Sequence, residues 1–170
     1  MAPRDVYFHR CENTDARAAD NYALRWAAYN GRLDVCRWLH ATFGLTAADA
    51  RVDYNQPLRF AAKNGHLGVC QWLHATFQLT AADARSDDNF ALYYAAAHGH
   101  LAVCRWLHAT YGLTAADARG GHNYAFQAAE YGHLSVCQWL HTTFGFTAAD
   151  WEPYALGAKV PVAAWIASLA

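Results

Sequence analysis

The sequence predicts an all-α fold, a solenoid of stacked helix-turn-helix repeats with a short extra helix in each unit. Three observations predict it. Gly31, Gly65 and Gly99 are 34 residues apart, as are Cys36, Cys70 and Cys104, Trp38, Trp72 and Trp106, and His40, His74 and His108; a fourth copy stands 33 later at Gly132, Cys137, Trp139 and His141. Inside each copy, Leu33, Cys36, His40 and Phe43 and their equivalents fall at the spacing of one helical face. Finally, "TAAD" recurs at Thr46, Thr80, Thr114 and Thr147, each threonine with an aspartate three residues on, which is the form of a capping box. A fixed period changes the meaning of every residue within it, because each becomes one rung of a ladder.

The elements are arranged in order along one repeat domain, residues 1–170. Residues 1–20 are expected to form an N-terminal cap, since only Asn13 to Arg17 match the tail of a unit. Four units occupy 21–54, 55–88, 89–122 and 123–150. Each opens on an asparagine (Asn21, Asn55, Asn89, Asn123), from which a first helix, helix A, runs to the glycine that closes it in a left-handed conformation. Pro57 sits near its start, where proline is tolerated. Helix B comes next, from Leu33 to Phe43 in the first unit, with Asp34, Arg37 and Ala41 on its outward strip. The "TAAD" segment then forms the short third helix. In the fourth unit one residue is missing between Asn123 and Gly132, which should rotate the chain before the gap by about 100° relative to the chain after it. This unit is expected to break the surface pattern and to be the least stable. Residues 151–170 are a degenerate C-terminal cap, whose "VAAWI" (Val162 to Ile166) echoes "VCQWL" (Val136 to Leu140).

Composition excludes several classes of function. Net charge is −1, so the field that draws proteins to nucleic acid or anionic membrane is missing. "MAPRDVYFHRCENTDAR" holds no apolar run suited to a signal peptide, and "VPVAAWIASLA" is too short to span a bilayer. Five cysteines without a secretion signal argue for free thiols in a reducing compartment. The expectation is a soluble, monomeric, intracellular chain, cytoplasmic or nuclear, with no membrane association.

The run "LRFAAKNGHLGVCQWLHATF", Leu58 to Phe77, resembles the ankyrin repeat, with two alanines before a Gly-His turn and a second helix rich in valine and leucine. "QPLRFAA" is similar to that family's Thr-Pro-Leu-His helix start, departing at Gln56 and Arg59. The resemblance covers residues 21–144 and extends to the tryptophan-rich ankyrin-like arrays of protists and large DNA viruses. It implies an ankyrin-like α-solenoid that binds proteins. Ankyrin units carry a β-hairpin tipped by glycine, whereas "RVDYN" and "RSDDN" have none, so the "TAADAR" helix is expected to replace the hairpin. Tetratricopeptide units share the period, but their Trp-x-x-Leu-Gly-x-x-Tyr signature is absent.

The chemistry-bearing residues point to architecture. Cys104 and His108, four apart, could begin a zinc site, but each unit offers two ligands and stacked helices lie about 8–10 Å apart, too far for rungs to share a tetrahedral ion. The same spacing exceeds the roughly 4.4–6.8 Å between Cα atoms that a disulfide tolerates. Catalysis by a Cys-His pair would need one unique pair with an orienting group, whereas four near-identical pairs are present. No catalytic residue, metal or cofactor is therefore expected. His40, His74, His108 and His141 should be buried with hydrogen-bond partners. The ladder Asp15 and Arg17, Asp49 and Arg51, Asp83 and Arg85, Asp117 and Arg119 reads as salt bridges between units, the alternative being a nucleic-acid-binding helical repeat that uses the arginines with exposed aromatics.

Helix A carries the functional expectation. Leu24, Ala27 and Ala28 recur as Leu58, Ala61, Ala62 and Leu92, Ala95, Ala96, so that face packs inward and its small alanines let the helices approach. The helix should line the concave side of the stack. Its outward positions include Tyr131 and, as candidate contacts, Tyr22, Arg25, Tyr29, Arg59, Lys63, Phe90, Tyr93, His98, Tyr124, Gln127 and Glu130, a composition typical of binding hot spots and not of an idle Lys- and Glu-rich surface. These are the expected contacts to a protein partner. Trp26, Phe60 and Tyr94 share one register that is compatible with core or surface. Alanine at both Arg59 and Tyr93 is expected to remove binding and spare stability.

Overall fold

A computed structural model describes residues 18–120 and 124–169, and within them every regular element is helical. The first unit consists of α1 (Ala18–Tyr29), α2 (Leu33–Phe43) and α3 (Ala47–Ala50). The second repeats it as α4 (Val52–Lys63), α5 (Leu67–Phe77) and α6 (Ala81–Ala84), and the third as α7 (Ser86–Ala97), α8 (Leu101–Tyr111) and α9 (Ala115–Ala118). The fourth opens on a 3₁₀ turn, Tyr124–Phe126, and continues as α10 (Gln127–Tyr131), α11 (Leu134–Phe144) and α12 (Ala148–Ala155), with α13 (Val160–Ala167) behind it. Helices α1, α4 and α7 are the expected helix A, and α2, α5, α8 and α11 are helix B. The short third helices stand where expected, each with its capping box: Asp49 accepts from the Thr46 N–H at 2.7 Å and hydroxyl at 2.8 Å, and Asp83 does the same for Thr80. Residues 1–17, with Asp15, Arg17 and all of the expected N-terminal cap but its last three residues, lie outside the described residues.

The junction between third helix and helix A holds a feature that sequence periodicity does not announce. Asp53, Tyr54 and Asn55 all have positive φ (47°, 54° and 59°), as do Ala19 to Asn21 and Asp87 to Asn89. Each triplet is a single left-handed turn, closed by the Asn55 N–H on the Arg51 carbonyl at 3.3 Å and by Asn89 on Arg85 at 3.2 Å. The right-handed helix starts only after the asparagine, so the expected start of helix A is met. L-residues resist this conformation by about 1–2 kcal/mol each, and asparagine resists it least, which accounts for its place at the end of every turn.

The core is a continuous column. From helix A it takes Leu24, Ala27 and Ala28 and their equivalents, and from helix B Val35, Cys36 and Leu39 and theirs, all essentially inaccessible. The buried centre of helix B is thus rotated slightly from the expected stripe. His40, His74 and His108 stand at its edge, half-buried, each donating Nδ1–H to a carbonyl in the next turn (Leu45, Leu79 and Leu113, at 3.0, 3.0 and 2.8 Å). Each imidazole meets the next unit edge-on: His40 packs on Trp72 and Phe77, His74 on Trp106 and Tyr111, His108 on Trp139 and Phe144, with ring centroids 5.2–6.1 Å apart. His141 departs from the expectation, because its Nδ1 is buried with no hydrogen-bond partner. It still packs on Trp165, at 5.5 Å, as the other histidines pack on theirs. Trp165 therefore occupies a repeat tryptophan's place, the equivalence expected from "VAAWI".

The Gly-His turn links units in a second way. His66 donates Nε2–H to the Tyr29 carbonyl and His100 to the Lys63 carbonyl, both at 3.0 Å, so each ring caps a carbonyl at the end of the previous helix A. A Cβ on Gly65 would lie 2.6 Å from the His100 ring, and Gly65 has φ +75°, so glycine there is required by conformation and by close approach at once. Helix A packs more closely on its neighbour than helix B does on its own, as the alanines permit.

In the fourth unit the missing residue is absorbed locally. A 3₁₀ turn has about three residues per turn against 3.6 for an α-helix, so winding more tightly at Tyr124–Phe126 keeps Phe126 and Ala128 both inward. Phe126 fills the leucine position and packs on Phe146, Trp151 and Tyr154 with centroids 4.6–5.3 Å apart. The expected loss of register does not reach the core.

Candidate functional site

The outward register of helix A, Arg25, Arg59, Tyr93 and Gln127, is built into the stack. Arg25 bonds Gln56, lies 4.0 Å from the Asp53 carboxylate, and donates Nη2–H to the Ala19 carbonyl at 2.8 Å. Arg59 pairs with Asp87 of the next unit and donates to the Asp53 carbonyl at 2.7 Å. Tyr93 donates its hydroxyl to Gln127 Oε1 at 3.2 Å. Each unit's residue thus reaches the next unit, and the two arginines also tie down the left-handed turn of their own. Arg59 is only 9% exposed, so the expectation that it lies on the surface is corrected: the opposing Asp87 and the turn carbonyl draw its guanidinium inward. The variation at this register, expected to mark partner contacts, tracks what each side chain meets in the next unit.

Other expected contacts do stand on the surface. Tyr22 is 58% and Tyr29 43% exposed, while His98 and Glu130 are exposed and Lys63 and Phe90 half-buried. The Tyr124 side chain lies outside the described ones. Trp26, Phe60 and Tyr94, compatible with core or surface by sequence, are partly exposed and belong to the surface row. The aromatics form a connected band across units: Tyr29 meets Phe60 edge-on at 5.6 Å, Lys63 lies 5.0 Å above the Tyr94 ring, and Tyr94 packs against Phe90 at 5.2 Å and Tyr93 at 4.7 Å. Beyond Tyr93 the band opens into a groove of about 610 Å³ bounded by Lys63, Tyr93, His98, His100, Tyr131 and His133. Tyr131 is 56% exposed, as its outward phase predicts, though neither it nor the Gly-His histidines are counted among the expected contacts. The signal for the histidines is the Gly-His turn itself, which follows helix A in the second, third and fourth units, Arg32 standing in the histidine's place in the first.

The arginine ladder is spent on aspartates. Arg51 bonds both carboxylate oxygens of Asp83 (2.7 and 3.0 Å), Arg85 those of Asp117 (2.7 and 3.1 Å), and Arg119 pairs with Asp150 at 2.7 Å. This is the expected salt-bridge ladder. Burial alone would raise the Asp83 carboxyl, but Arg51 and the Thr80 N–H and hydroxyl outweigh it and hold the group down at about 2.

Cys36, Cys70, Cys104 and Cys137 are free and buried, and desolvation pushes the Cys36, Cys70 and Cys137 thiols up to about 12. At neutral pH such groups are thiols and not nucleophilic thiolates. Among the described residues no group of three or more His, Cys, Asp or Glu is placed to hold a metal ion. Nor is any helix there long and apolar enough to cross a membrane.

A family model for ankyrin repeats in three copies matches residues 58–148, and another, for ankyrin repeats in many copies, matches residues 24–74. The X-ray structure of an ankyrin repeat family protein from Legionella pneumophila is similar to this chain, with a TM-score of 0.62 and 27% identity. That similarity covers 72% of this chain and 36% of the Legionella protein, little more than a third of its length. Among curated proteins none matches significantly.

Proposed function

The chain belongs to the ankyrin repeat family, and from that premise we propose that it is a non-catalytic interaction module that holds a protein partner along the concave surface lined by helix A. Ankyrin repeats are generally protein-protein interaction modules. The observation that carries the reading here is the aromatic band on successive helices A, from Tyr22 and Tyr29 through Phe60 and Tyr94 to Tyr131. Aromatic surface of this extent is costly to leave in water, and it supplies area and hydrogen-bonding tips in one rigid row. The closer approach of helices A than of helices B supports placing the band on the inside of the curve.

A nucleic-acid reading needs the arginines, and they are neutralised. Arg51, Arg85 and Arg119 face Asp83, Asp117 and Asp150, and Arg59 faces Asp87. The cations left over do not make a track for phosphates.

Photocrosslinking amino acids at Tyr22, Tyr29 and Tyr131, with Asp34 and Arg105 on the outer strip of helix B as controls, test the assignment. Protein adducts from the helix A positions alone are expected. Adducts from the controls alone would place the partner elsewhere, and adducts that vanish with nuclease would revive the nucleic-acid reading.

A further inference from the structure

The groove at the ends of the middle helices A narrows the choice of partner. Resting on the proposal that helix A faces a protein, we infer that this groove receives an acidic, aromatic-containing peptide segment, and that its grip tightens as pH falls toward 6. Its walls carry Lys63 from α4, His98 and His100 from the turn after α7, His133 from the turn after α10, and the rings of Tyr93 and Tyr131. Among the described residues no carboxylate lines it. Lys63 is the one fixed charge among those lining residues, held over the Tyr94 ring 5.0 Å away. The imidazoles crowd together: His98 and His100 are stacked with centroids 6.4 Å apart. Burial, and the neighbouring His98, His133 and His66, push the His100 imidazolium down. A carboxylate between them would relieve that repulsion and draw protons onto the histidines, which is why binding strengthens on acidification.

The surroundings select a short acidic peptide over a polyanion. Asp53 and Asp88 are exposed at the left-handed turns, at the other end of the same helices A, and a phosphate backbone running along the band would meet them. A peptide confined to the groove does not. At the C-terminal side the charged neighbours are Glu130, against Gly157, and Lys159, against Gly132. The helix ends at the groove favour cations, but their carbonyls are already capped: Lys63 by His100 Nε2–H and Tyr94 by His98 Nδ1–H, both at 3.0 Å.

The test uses fluorescence anisotropy on the whole chain with three labelled probes: a glutamate-rich decapeptide with a central phenylalanine, the same peptide with glutamine for glutamate, and a thymidine decanucleotide. The glutamate peptide should bind at least fivefold more tightly at pH 6 than at pH 8, and the glutamine peptide and the decanucleotide not measurably. Lys63→Ala should weaken the glutamate peptide at least fivefold at either pH, and His98→Ala should remove most of its pH dependence. Arg105→Ala, on helix B, should change neither, and circular dichroism confirms that each variant is folded. Should Lys63→Ala not fold, His98→Ala alone decides. Equal binding of the glutamine peptide, a flat pH profile or preference for the decanucleotide overturns the inference. Crosslinks to a protein from Tyr131 would in that case leave the broader function standing, and only their absence together with crosslinks from helix B would sink both.

Discussion

Arg59→Ala should destabilise the protein, although its position in the helix reads as outward. The guanidinium makes two bonds, to the Asp87 carboxylate and the Asp53 carbonyl, and is 9% exposed. A hydrogen bond involving a charged group contributes about 1.5–3 kcal/mol. Removing one partner of a fully buried pair costs about 3–5 kcal/mol. The Asp87 side chain keeps 31% of its exposure, so water recovers part of the loss. The Asp53 carbonyl begins a turn of three left-handed residues that is itself unfavourable by about 1–2 kcal/mol per residue, so releasing it loosens the turn. The sum of these effects is about 2–3 kcal/mol, or a Tm lower by roughly 5–10 °C for a chain of this size. Urea denaturation followed by circular dichroism measures it, and a double-mutant cycle with Asp87→Ala isolates the pair, with a coupling of about 1–2 kcal/mol expected. A change within about 0.5 kcal/mol of wild type, or no coupling, would refute the reasoning, since surface substitutions behave that way.

Tyr111 carries a buried hydroxyl with no hydrogen-bond partner, where the other units have Phe43, Phe77 and Phe144; Tyr111→Phe should raise stability by about 1 kcal/mol in the same denaturation experiment, and a loss would count against it. Asp83 titrates near 2 in the fold against about 3.9 unfolded, so its contribution is complete above that ordinary value and fades as pH falls through 2. Asp83→Asn should therefore cost about 1–2 kcal/mol at pH 7 and converge on wild type at the acid end, a constant gap in thermal melts across that range being the contrary result. Gly44 and Gly65 both have positive φ, but a Cβ meets nothing within 4 Å at Gly44 and the His100 ring at 2.6 Å at Gly65. Alanine should cost about 1 kcal/mol at the first and clearly more at the second, and equal losses would show that the imidazole yields freely.

The repeat, the helices and the inward face are legible in residue order alone, because they rest on local pattern. Leu24, Ala27 and Ala28 recur at helical spacing, each "TAAD" supplies its own cap, and Trp165 keeps its place in an echo of "VCQWL". Helical phase likewise puts Tyr22, Tyr29 and His98 on the surface, since it tells which way a side chain leaves its helix. Phase does not tell what stands opposite. Arg59 and Tyr93 leave helix A outward, but the groups that receive them, Asp87 and Gln127, lie 28 and 34 residues on and come within reach only when units stack. The left-handed turns belong to the same category, because Ala19 and Tyr54 have no local preference for positive φ, and the first two turns are held through bonds from an arginine farther along the chain to the Ala19 and Asp53 carbonyls. The 3₁₀ start of the fourth unit does too, since only the buried slot for Phe126 makes the tighter winding worth its strain. Elements came from spacing along the chain; the division between structural and available side chains came from distances across it, which one chain's residue order does not encode until the stack has formed.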